Sequence, residues 1–113
     1  IYEETPDTLV QLTEEIDSDW FGHCFDAGHW QLFGKQPMTQ WLAAIGPRLF
    51  HLHLHDNHGT ADEHLPVGEG RINFSPLRRA LDRMSTLPSI TLEAHSREHL
   101  ERSLRQVRIL FHS

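Results

Sequence analysis

Residues 49–55 read Leu-Phe-His-Leu-His-Leu-His, alternating Leu52 and Leu54 with His51, His53 and His55. That period of two belongs to an extended strand, whose successive side chains point to opposite faces. A helix would scatter the same residues around its circumference. One face of this strand is therefore apolar and asks for a core, while the other is a row of imidazoles.

Helical spacing lies on both sides of it. Met38, Trp41, Leu42 and Ile45 recur at intervals of three and four, and Gly46-Pro47 supplies a terminal glycine and a stop. Ser75-Pro76 opens a second helix through Leu77, Ala80, Leu81 and Met84, and Ser96 caps a third that buries Leu100, Leu104, Val107 and Phe111. At the start of the chain, Thr5 reads as an N-cap, Pro6 as the first helical position and Asp7 as the dipole complement, with Leu9, Leu12 and Ile16 on the apolar face. Residues 21–26 and 90–93 read as two further strands. Residues 56–73 have no periodicity and are punctuated by Gly59, Pro66, Gly68 and Gly70, the pattern of a long functional loop.

A helix followed by three strand-helix units predicts an α/β fold with a parallel sheet joined by right-handed crossovers. Asp26, His53 and Glu93 fall at or near the C-terminal ends of the three strands, where such folds bind their ligands. A complete strand-helix barrel takes about 250 residues. Three strands make neither a closed barrel nor a comfortable open sheet, so the 113 residues look like a single domain that is part of something larger, and its open edges predict self-association into a homo-oligomer.

Sixteen acids against ten bases give a formal charge of −6, which disfavours nucleic acid as a partner. No apolar run approaches the roughly 20 residues of a membrane span, and no signal peptide is visible, so a soluble cytoplasmic chain is expected. Cys24 is the one cysteine, so no internal disulfide can form, and it reads as a buried thiol. With lysine present only at Lys35 and ten histidines available, metal and proton-transfer chemistry has many more candidates than Schiff-base chemistry.

Asp26, His53 and Glu93 offer mixed oxygen and nitrogen ligands to a divalent ion if the strands are neighbours. His29, three residues after Asp26, faces the same rim, and Asp62 with His64 could complete a second site with it. Blander roles stand beside these. Asp26 could cap the turn that follows it, His51 could bond backbone or water inside a barrel, and His55 and His58 read as loop or supporting groups. His23, His95, His99 and His112 read as surface or packing residues, and Trp20, Trp30 and Trp41 as core, although Trp30 could wall a sugar-sized pocket. A carboxylate ending the Ile-Thr-Leu strand at Glu93 is costly without a cation. Residues 53–58 miss the His-x-His-x-Asp-His signature of metallo-β-lactamase-like hydrolases by one position, and Gly68-Glu69-Gly70 is too short to be a phosphate loop.

Four segments carry a family resemblance: Asp26-Ala27-Gly28-His29, His53-Leu54-His55-Asp56-Asn57, residues 62–70 and Leu92-Glu93. In order and spacing they resemble the C-terminal half of the xylose isomerase-like barrels, which include sugar phosphate isomerases/epimerases and the apurinic endonuclease IV enzymes. The resemblance implies the C-terminal half of a (β/α)8 barrel with a divalent metal at its rim: manganese, zinc, magnesium or cobalt. It places Asp26, His53 and Glu93 among the ligands and a further glutamate on a strand before Ile1, with residues 1–4 resembling the run just after it. The implied chemistry is isomerisation or epimerisation of a sugar or sugar phosphate, by proton transfer beside a carbonyl through an enediolate. Glu93 or the further glutamate then moves the proton, His29 binds or polarises substrate oxygen, and Arg71 is a candidate anion contact. The endonuclease-like alternative is a zinc phosphodiesterase acting on abasic DNA, with His29, Asp62 and His64 at a second metal. A third reading is a non-catalytic half-barrel that pairs with another copy.

Overall fold

The computed structural model describes residues 4–112, so most of the segment 1–4 lies outside the described residues, as does the side chain of His112. Helix α1 (Asp7–Ile16) leads into strand β1 (His23–Asp26) and the short helix α2 (Ala27–Phe33). Helix α3 (Met38–Ile45) runs through a 3-10 turn (Gly46–Arg48) into strand β2 (Leu49–Leu54). Helix α4 (Ser75–Asp82), strand β3 (Ser89–Leu92) and helix α5 (Arg97–His112) complete the order. The three strands form one parallel sheet in the order β1-β2-β3, with Asp26 level with His53 and Leu54 level with Leu92.

One face of the sheet carries the core. Leu52 and Leu54 are fully buried against Met38, Trp41, Leu42 and Ile45 of α3 and Leu77 and Leu81 of α4, with Val67, Ile72 and Phe74 closing the layer from the long loop. Each such leucine is worth about 2 kcal/mol by area removed from water. On the opposite face Cys24, Ser89 and Thr91 remain exposed, so the thiol expected to be buried stands open beside the carboxylates. Partial burial, and then the charges of Asp26 and Glu93, push its pKa up.

Several local expectations are corrected. Thr5 does not cap α1: Pro6 holds the N-cap position, and no side chain bonds the helix end. Phe74 rather than Ser75 precedes α4, whose Ser75 N–H donates to Asn73 Oδ1 at 3.0 Å. Gly46 keeps right-handed angles, φ −52 and ψ −43, because the chain tightens into the 3-10 turn and needs no left-handed stop there. Ser96 does cap α5, its Oγ accepting from His99 N at 3.1 Å. Leu100 and Leu104, expected in the core, are 42% and 39% exposed, since the core cluster meets α5 only further on, at Val107, Leu110 and Phe111. Trp41 is core, whereas Trp20 is 95% exposed on the turn before β1.

Candidate metal centre

The C-terminal ends of the strands converge on one cluster of carboxylates and imidazoles. Asp26 ends β1 and caps α2, accepting from His29 N at 2.9 Å, and its two oxygens lie 2.7 Å from His55 Nε2 and 3.2 Å from His29 Nδ1. The capping role and the ligand-like geometry therefore coexist. Helix α2, which the sequence reading did not resolve, turns His29 back over the sheet, where its Nε2 meets Asp62 Oδ2 at 3.1 Å. Glu93, one residue past β3, reaches His53 Nδ1 at 2.5 Å, His64 Nε2 at 3.2 Å and His55 Nε2 at 3.5 Å.

Among the described residues, two groups have ligand atoms within 4.8 Å of one another: Asp26, His55 and Glu93, and His29, His55, Asp62 and His64. His53 stands at their edge, 4.0 Å from Asp26 Oδ2. His55, read from sequence as a loop or supporting group, is instead fully buried and common to both groups. The alternation of residues 49–55 already placed it on the face of His51 and His53, one repeat higher.

Glycine makes that position possible, because a Cβ at Gly28 would overlap the His55 ring. The ring stacks on His64 at 4.3 Å between centroids, and His64 in turn meets His95 edge-on at 4.8 Å. His55 Nε2 donates to Asp26, while buried Nδ1 has no hydrogen-bond partner and lies 3.9 Å from Asp62 Oδ1. An imidazole tied to a carboxylate through one nitrogen and unpaired at the other fits a metal ligand in the group of His29, Asp62 and His64, through Nδ1, whereas joining Asp26 and Glu93 on one ion would use Nε2 in place of its bond to Asp26. The mixed nitrogen and oxygen donors fit zinc, manganese or cobalt better than magnesium.

The loop bearing Asp62 and His64 is pinned from below. Asp56, fully buried, accepts from the backbone N–H groups of Asn57 at 2.9 Å and of Gly68 and Ile72 at 3.1 Å each, and its backbone pairs with Leu65. A Cβ at Gly70 would collide with this carboxylate, while Gly68 takes φ +89. Glu69 forms a two-pronged ion pair with Arg102 of α5, both contacts at 2.9 Å, and Val67 N donates to Ser103 Oγ at 3.1 Å. The Gly-Glu-Gly run thus fastens the loop. His64 itself has φ 51, a left-handed conformation costing about 1 kcal/mol, held by these anchors.

The remaining candidates sit outside the groups. Trp30 packs against Phe25 and gives its Nε1–H to Gln36 O at 2.9 Å, and Arg71 is exposed just beyond Gly70. His51, expected to bond backbone or water, lies between Ser89 Oγ at 2.6 Å and Thr91 Oγ1 at 2.8 Å. His23 is a packing residue, buried beside Thr13 Oγ1 at 2.5 Å, and burial followed by the Arg48 charge lowers its pKa. His58 is exposed and bonds Glu63.

Burial opposes charge at both ends of the His55–Asp26 pair, and the pairing overcomes it. Burial by itself would lower the His55 pKa, but the Asp26 hydrogen bond and the Asp26, Glu93 and Asp62 charges raise it above 6.5. Burial would raise Asp26, but the bonds from His55 and from His29 N, with the charges of both rings, hold it below 3.8. In metal-free protein the stability from His55 is complete below 6.5 and lost as pH rises through its raised folded value, while that from Asp26 is complete above 3.8 and lost as pH falls through its lowered value. Melting curves of chelator-treated protein should therefore show His55→Gln flattening the alkaline limb and Asp26→Asn the acid limb. Unchanged limbs in both variants would remove the pair as the cause.

Residues 1–110 match the family described as xylose isomerase-like TIM barrel. An uncharacterized protein of Methanocaldococcus jannaschii, MJ1311, is 44% identical over 71 residues, 62% of this chain and 24% of its own length. The uncharacterized protein y4fM of Sinorhizobium fredii is 35% identical over 72 residues, 64% of this chain and 23% of its own length. Among solved structures, a D-tagatose 3-epimerase-like protein superposes with TM-score 0.82 at 31% identity, covering 99% of this chain and 42% of that one. The TTHB071 protein of Thermus thermophilus, soaked with ZnCl2, gives TM-score 0.73 at 33% identity over 96% of this chain and 41% of that one. IolI with a bound zinc atom, at 20% identity and TM-score 0.71, covers 96% of this chain and 44% of that one and shares the fold. The chain thus spans about a quarter of the length of the curated relatives it matches and less than half of these structures.

Proposed function

Because this chain belongs to the xylose isomerase-like TIM-barrel family, with its three parallel strands forming part of such a barrel, we propose that the protein is a metal-dependent isomerase or epimerase of sugars or sugar phosphates. The observation that carries this reading is the buried His55 ring, shared by two groups of potential ligands at the strand ends. Likeness to a D-tagatose 3-epimerase-like protein favours a hydroxy-ketone substrate, and likeness to a structure soaked with ZnCl2 favours zinc.

Asp26 and Glu93, with His55 or His53, would hold the ion, which supplies a Lewis acid for neighbouring substrate oxygens. Glu93, at 26% exposure, would take and return a proton at the adjacent carbon, and His29, at 22%, would hold a substrate oxygen. Trp30 would wall the sugar only by its ring, since its N–H is already bonded. Arg71 would meet the anionic end of a phosphorylated substrate.

A second reading is retained because His29, Asp62 and His64 assemble with His55 into a group of their own. Two metals would then support phosphodiester cleavage at abasic DNA, against the −6 charge of the chain. Incubating zinc-loaded protein with D-tagatose in deuterium oxide separates the readings. Deuterium entering the carbon beside the carbonyl, and lost in Glu93→Gln, is the expected result. Cleavage of abasic DNA without exchange supports the endonuclease-like reading. A tight oligomer that sediments without bound metal and does neither leaves the self-associating half-barrel.

A further inference from the structure

At the opposite end of the sheet, a cavity of 710 Å³ opens between α3 and α4, floored by Leu49 and Phe50 where β2 begins. It lies a strand's length, roughly 15–20 Å, from the histidine cluster. Its walls are built from consecutive elements of this chain. Arg48, Arg79 and Arg83 line it against the single acid Asp19, so three of ten basic side chains and one of sixteen acids meet here in a chain of net charge −6.

The three arginines are not equivalent. Arg48 is committed to the wall: it bonds Ser18 O and Phe21 O, lies 3.6 Å from Asp19 Oδ1 and packs 5.2 Å over the Phe50 ring. Arg79, in the last turn of α4, and Arg83, the residue that caps its C-terminal end with right-handed backbone angles, are exposed at the cavity mouth, and neither forms an ion pair among the described residues. Ser85 and Thr86 add hydroxyls beside them, while Leu42, Pro47 and Met84 supply apolar lining. The volume falls within the range of small-ligand sites.

We propose that this cavity binds a small organic phosphate ester, its phosphate held by Arg79 and Arg83 and its apolar body lying along Leu42, Pro47 and Met84. Two guanidinium forks and neighbouring hydroxyls match the several acceptor oxygens of a phosphate, and the apolar wall distinguishes an ester from the bare ion. The site is separate from the proposed metal centre and does not depend on it.

The probe is phenyl phosphate, titrated calorimetrically into metal-stripped protein so that no bound ion competes for the anion. Saturable binding is expected, tighter than that of inorganic phosphate. The double variant Arg79→Gln/Arg83→Gln should weaken it at least about tenfold, with the far-ultraviolet spectrum and zinc affinity unchanged. Should that variant fail to fold, Arg79→Lys/Arg83→Lys preserves the charge, and it should bind more weakly than wild type through loss of the forks. Absence of saturation, equal affinity for inorganic phosphate, or binding indifferent to both double variants would overturn the proposal.

Discussion

Asp56→Ala is expected to destabilise the protein by about 2 kcal/mol or more, because the buried backbone N–H groups of Asn57 and Ile72 lose their acceptor and each costs about 1 kcal/mol or more when left unpaired, while the part-buried N–H of Gly68 is left to water. For a domain of this size that is a fall of about 8 °C or more in Tm. The loss should be local in origin. Asp56 ties Asn57, Gly68 and Ile72 together under the loop that carries Asp62 and His64, so metal affinity should fall along with Tm. Thermal melts read the first effect and zinc titration at low temperature, where the variant is still folded, reads the second. Asp56→Asn, which keeps an oxygen in place, should lie between wild type and Asp56→Ala. Equal melting of Asp56→Ala and wild type would show that the loop does not depend on this carboxylate.

His55→Ala is expected to lower divalent-metal affinity by about a hundredfold or more, a larger loss than that from His64→Ala, because His55 faces both groups while His64 belongs to one. Glu93→Gln and Asp26→Asn should weaken binding too while leaving the fold intact. Competition against a chromogenic zinc chelator gives the affinities, and circular dichroism separates them from unfolding. If His53→Ala removes the metal and His55→Ala does not, the ligand set is the one implied by family resemblance. His55 would then serve to orient Asp26 and fill the space over Gly28.

Much of this arrangement could be read from residue order. The parallel three-stranded sheet follows from three apolar strands separated by helical spacing, and Asp26, His29, Asp62, His64 and Glu93 meet as their positions at strand ends and in the long loop predict. Local pattern could not supply what depends on distant packing. Helix α2 has only seven residues and is started by a carboxylate that also faces the cluster, so no apolar period announces it. The climb from Asp56 to Gly68 is closed by a backbone N–H bonded to a side chain, which no spacing rule encodes. His55 is the instructive case: alternation put it on the imidazole face, yet its complete burial follows from Gly28 and His64, contributed by other segments.

The fastening of the long loop to α5 has a consequence in time. Val67 is held by Ser103 and Glu69 by Arg102, partners more than thirty residues later in the chain. During synthesis, at about 5–20 residues per second, Asp62 and His64 leave the ribosome seconds before the helix that sets their positions. An emerging chain thus carries the donors without their geometry. On the reading proposed above, an ion would be captured by the finished fold rather than by the nascent chain.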